Sequence, residues 1–183
     1  RWWGQDATPD STGGIRAVGL DTETPVRGDG RPETETPTLL QIASRSAVWI
    51  FRLDKLGGIP DTLRHFLNDK RVLKLGVGVK RDAGLVREID ERWVVNQTYA
   101  DLGVTYKQKY TSLKACGLER LMATIYRCRM AKGIKILRRV GDFGRKQQLS
   151  REQVMYAAKD AVAALDLLCH LTQPQRPSQQ QRA

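Results

Sequence analysis

Three short groups of residues combine types and spacings that can do chemistry. Asp21 and Glu23 lie two apart at the end of the run Gly19-Leu20-Asp21-Thr22-Glu23. Side chains two apart on a strand share a face, so these carboxylates converge and offer the hard oxygen ligands that Mg²⁺ or Mn²⁺ takes. Asp82 follows an apolar run at 72–79 and falls at the expected start of a helix. Alone, such an acid is an ordinary helix cap or first-turn residue. Tyr156 and Asp160 lie four apart, a spacing that sets a phenol and a carboxylate on one helix face, one turn apart, with small alanines between them.

The elements that must carry these residues follow from the apolar pattern. β-prone runs at 15–21, 39–43 and 47–53, separated by turn formers, predict a three-strand meander. Residues 60–68 read as a helix with Pro60 first and Leu63, Phe66 and Leu67 on one face. A strand at 72–79, a short helix at 82–89 and a further strand at 99–102 add parallel β-α-β pairing. Thr111 or Ser112 can cap a helix to about residue 125, and Ser150 with Gln153 makes a capping box for a last helix to about residue 171. The expected order is βββαβαβαα. This is an α/β fold: a mixed sheet, with a three-strand antiparallel meander plus parallel strands, flanked by helices.

The 183 residues suit one domain. It is expected over 14–172, after a lead-in at 1–13 that carries Trp2 and Trp3 and before a polar, Gln-rich tail or linker at 173–183. With 31 Lys plus Arg against 20 Asp plus Glu, the net charge of +11 attracts polyanions, and nucleic acid is the first partner it suggests. Cys116, Cys128 and Cys169 form no C-x-x-C pair and read as small apolar fillers in a reducing, intracellular compartment. With two histidines, a zinc site is not expected. No apolar run approaches the roughly 20 residues of a membrane-spanning helix, so no membrane partner is expected. Gly76-Val77-Gly78 lacks the third glycine of a dinucleotide fingerprint, because position 81 is Arg, and no P-loop, G-x-S-x-G or H-E-x-x-H sequence occurs.

Asp21-x-Glu23, then Asp82, then Tyr156-x-x-x-Asp160 resembles the three exonuclease motifs of the DEDDy group in the ribonuclease-H-like superfamily. The flanks are similar to its ribonuclease D and Werner-type branch. They are Leu39-Leu40-Gln41-Ile42-Ala43, Lys74-Leu75-Gly76-Val77-Gly78, Ser112-Leu113-Lys114, and Leu149-Ser150-x-x-Gln153 leading into Tyr156-Ala157-Ala158-x-Asp160. The resemblance spans residues 15–171. It departs in a polar, proline-bearing loop between Glu23 and Leu39, and in Asp142-Phe143, where members often carry Asp-Trp.

The resemblance implies a ribonuclease-H-like fold and a 3′-5′ exonuclease that releases nucleoside 5′-monophosphates. Asp21, Glu23, Asp82 and Asp160 would bind two divalent metal ions, Mg²⁺ or Mn²⁺, about 3.5 to 4 Å apart. Tyr156 would orient the attacking water, since a phenol of pKa about 10 is a poor base. Glu23 and the backbone near Thr22 would meet the terminal 3′-hydroxyl. The basic residues Lys132, Lys135, Arg138, Arg139 and Lys146 could hold backbone phosphates, a solvated basic face being the plain alternative. The expected partner is a single-stranded nucleic acid 3′ end, RNA favoured over DNA, in mitochondrion or nucleus, with room for protein partners or further domains. A DNA exonuclease of repair and a non-catalytic nucleic-acid-binding module are the alternatives.

Overall fold

Apolar residues on both faces of one segment call for helices on both sides of it. In the computed structural model that segment is β1 (Arg16–Glu23). The structure describes residues 16–27, 29, 31–34, 36–92, 98–111, 117–130, 141–143 and 147–173. Among them β1 is the middle of a five-stranded sheet ordered β3-β2-β1-β4-β5. β2 (Leu39–Ala43) and β3 (Val48–Arg52) complete an antiparallel meander. β4 (Val72–Gly76) and β5 (Tyr99–Asp101) extend it in parallel. The mixed α/β sheet is the one the sequence predicts.

Helices cover both faces. Val18, Leu20, Leu40 and Ile42 pack in one core with residues of α1 (Leu53–Leu56), α2 (Asp61–Asn68) and α3 (Val79–Arg87). Ala43 and Leu75 share the other with α4 (Leu102–Lys109), α5 (Leu118–Tyr126) and α6 (Arg151–Thr172). The expected capping box starts α6: Ser150 Oγ accepts from the Gln153 backbone N–H at 3.2 Å, and Ser150 N–H donates to Gln153 Oε1 at 2.9 Å. Such a cap contributes about 1 kcal/mol.

Helix α6 lies tightly on β1 because Gly19 has no side chain. A Cβ there would stand 1.8 Å from the Ala161 carbonyl oxygen, so only glycine lets the two backbones touch at this height.

Several expectations need correction. Helix α3 begins at Val79, three residues before Asp82, because Gly78 adopts φ 84° and turns the chain from β4 straight into the helix. The Asp101 carboxylate fixes that turn by accepting the Gly78 N–H at 3.1 Å. Asp101 also accepts from Gly103 N–H at 2.9 Å and so caps α4, a helix that the β-branched content of 102–109 conceals. The short α1 was likewise not expected. The described helix after α4, α5, starts at Leu118 behind Gly117 rather than at Thr111, while Ser112 and its neighbours to Cys116 lie outside the described residues. Cys128 is exposed and Cys169 half-buried, so Cys128 is not a core filler. The lead-in at 1–13 and the tail beyond Gln173 lie outside the described residues. No helix among them is long and apolar enough to cross a membrane.

Candidate active site

The strand period splits the end of β1 between two layers. Asp21 and Glu23 point to the same side as Gly19, toward α6, whereas Thr22 points to the α3 side. There the Thr22 hydroxyl donates to Asp82 Oδ1 at 2.8 Å. Tyr156 and Asp160, both on the buried side of α6, descend from above. The carboxyl ends of the parallel pair β1 and β4 therefore gather groups from both layers.

Electrostatics report the same convergence. Burial pushes the Asp82 carboxyl up to about 6 from its ordinary 3.8, with Asp101 and Asp160 adding to the rise and the Thr22 hydroxyl and Arg81 opposing it. Burial also raises the Tyr156 phenol well above its ordinary 10, followed by the charges of Glu23, Asp160 and Asp21. Tyr156 thus stays protonated throughout the working range. Each of the five sequence-predicted residues feels at least one of the others.

Side chains around α6 and the strand end hold this group in place. Phe143, the residue at which the sequence departs from the Asp-Trp that family members often carry, is fully buried and packs on the Tyr156 ring at 6.2 Å. Its neighbour Asp142 accepts from Gln153 Nε2 at 2.7 Å, so the capping residue of α6 also anchors the shelf behind Tyr156. The polar loop after Glu23 stands beside the site: Val26 N–H donates to Gly141 O at 2.9 Å, and Thr38 N–H returns to Glu23 O at 2.9 Å. Thr22, expected to meet substrate, has its hydroxyl committed to Asp82 and offers its backbone only. Lys132, Lys135, Arg138, Arg139 and Lys146 lie outside the described residues.

Among the described residues no three carboxylate, imidazole or thiol groups stand together as a closed metal cage. Asp82 is turned toward Thr22, whose hydroxyl it accepts at 2.8 Å. The donor set nonetheless fits a hard divalent ion: four carboxylates, no sulfur or imidazole, and a half-protonated Asp82 near pH 6 that a cation would deprotonate.

Residues 8–174 match the family model described as 3′-5′ exonuclease. The chain is 33% identical over 141 residues to human exonuclease 3′-5′ domain-containing protein 2, covering 73% of this chain and 22% of that one. It is 32% identical over 110 residues to a 3′-5′ exonuclease of Arabidopsis thaliana, covering 60% of this chain and 36% of the relative. It thus spans about a third or less of these relatives' lengths. The Trypanosoma brucei RNase D structure in complex with RNA U12 shares the fold, with a TM-score of 0.69 at 18% identity, over 88% of this chain and 57% of that one.

Proposed function

From the premise that the chain belongs to the 3′-5′ exonuclease family, we propose that it shortens single-stranded RNA from the 3′ end, releasing nucleoside 5′-monophosphates. The observation that carries this reading is the meeting of Asp21, Glu23, Asp82, Tyr156 and Asp160 at one strand end, seen in the charges that Asp82 and Tyr156 feel.

The four carboxylates hold divalent cations, Mg²⁺ or Mn²⁺, which when bound acidify water and offset charge on a departing oxygen. Tyr156, kept a phenol by its surroundings, orients the attacking water by hydrogen bonding. Phe143 fixes the ring from behind. Glu23 and the Thr22 backbone receive the terminal 3′-hydroxyl, a group that an internal phosphodiester cannot offer. A nucleic-acid substrate is supported by the net charge of +11, and RNA by the RNA-bound fold relative.

The test uses 5′-labelled single-stranded RNA and DNA of one sequence with Mg²⁺ or Mn²⁺, against EDTA and Asp82→Ala controls. A metal-dependent one-nucleotide ladder, faster on RNA and lost in Asp82→Ala, is expected. A faster ladder on DNA replaces the substrate, and binding without shortening under either metal removes the catalytic reading.

A further inference from the structure

Gln41 is the residue that the fold leaves unexplained. It lies in the middle of β2, fully buried, and neither its amide nitrogen nor its carbonyl oxygen has a hydrogen-bond partner. A buried amide without partners is costly, and an apolar side chain of the same length would sit there more comfortably. The cost calls for a hydrogen bond that forms only when the site is loaded.

Its position names the partner in that bond. Gln41 is the register partner of Asp21 on β1, and directly opposed residues of an antiparallel pair share a face. On the same face, two residues to one side, Leu39 packs with Phe143, Tyr156 and Ala157. Two residues to the other side, Ala43 packs in the cluster of Ala161 and Ala163. On β3 the register neighbour is Ile50. The amide therefore lies under the turn of α6 that carries Tyr156 and Asp160 and beside Asp21, with the apolar Leu39, Ala43 and Ile50 on its other flanks.

We infer that Gln41 is a positioning residue for the metal site: its Nε2 donates to the Asp21 carboxylate oxygen that faces away from the cation, and so aims the other oxygen at it. Ligating carboxylates are commonly oriented by such a donor, and losing it weakens metal binding about 10- to 100-fold. The inference rests on the proposed metal-dependent reading of the same site.

Gln41→Met keeps the length of the side chain and removes both polar atoms. Mn²⁺ binding is measured by calorimetry on the wild-type and variant proteins, beside their melting temperatures in EDTA. Gln41→Met is expected to melt at or above the wild-type temperature without metal, yet to bind Mn²⁺ about 10- to 100-fold more weakly. Equal Mn²⁺ affinity overturns the positioning role and leaves the exonuclease reading standing, whereas a wild-type chain that binds no Mn²⁺ overturns both. Should the variant not fold, the wild-type protein decides: the Gln41 side-chain amide resonance should shift and its exchange slow when Mg²⁺ is added, and an unmoved resonance refutes the inference.

Discussion

Asp82→Asn should make the metal-free protein more stable while removing its activity. The substitution keeps the side chain's shape, and its Oδ1 can still accept the Thr22 hydroxyl. What it removes is a carboxylate whose burial, with Asp101 and Asp160 nearby, raises its pKa from 3.8 to about 6. A rise of about two pH units is worth about 3 kcal/mol. An acid whose pKa is raised by folding leaves stability intact below its unfolded value and takes it away as pH climbs through the folded value. The loss is thus spread between about pH 4 and pH 6.

Urea unfolding in EDTA at a series of pH values measures it. Wild type and Asp82→Asn should coincide near about pH 4, part between there and about pH 6, and differ by about 2 to 3 kcal/mol at about pH 8 in favour of the variant. For a chain of this size that is a gain of roughly 5 to 10 °C in Tm. Saturating Mn²⁺ should then raise the wild-type Tm and leave the variant's nearly unchanged. Parallel stability curves across the whole pH range would refute the claim that Asp82 carries a desolvated charge in the folded state.

Tyr156→Phe keeps the ring on Phe143, so stability should change by no more than about 1 kcal/mol, while turnover falls about 100-fold. The alkaline limb of the pH–rate profile should keep its shape in that variant, because the phenol never ionises there; a lost limb would make Tyr156 a proton acceptor. Gly19→Ala forces α6 off β1, since the new Cβ meets the Ala161 carbonyl oxygen at 1.8 Å. It should cost about 1 to 3 kcal/mol in urea unfolding and about 100-fold in turnover through the displacement of Asp160 from Asp21. Gln153→Ala breaks the capping box and the hydrogen bond to Asp142, with an expected loss of about 1 to 2 kcal/mol and a lower kcat at unchanged substrate affinity. A loss of stability alone would confine Gln153 to the cap.

The groups that were legible in the sequence are those whose meaning is local. Asp21 and Glu23 declare themselves through a period of two, Tyr156 and Asp160 through a spacing of four, and Ser150 with Gln153 through a cap. Asp82 needed the resemblance, because its neighbours in sequence say only that a helix is near. What stayed hidden depends on contacts across the chain. Asp101 reads as a plain acid until Gly78 is found at its carboxylate, and with it went the start of α3 and the whole of α4. Gly19 reads as a strand interruption until the Ala161 backbone is laid over it. Gln41 reads as the polar member of an apolar run, and only the register with Asp21 gives it a place in the site.

The tripeptide Asp21-Thr22-Glu23 explains why the site needs both layers of the fold. Its outer members serve the α6 side and its middle member the α3 side, so one strand end sets the positions of Asp160 and Asp82 together. A slip of one residue between β1 and β2 would exchange the faces. It would carry Thr22 under α6, turn both carboxylates toward the apolar core of Val18, Leu20 and Val79, and take Gln41 away from Asp21. Leu39, Leu40, Ile42 and Ala43 are each buried on the side they occupy, with essentially no exposure, so β2 cannot turn over to follow such a slip. The core that holds β2 in register is therefore what keeps the carboxylates aimed, and substitutions in β2 should be read for lost turnover as well as for lost stability.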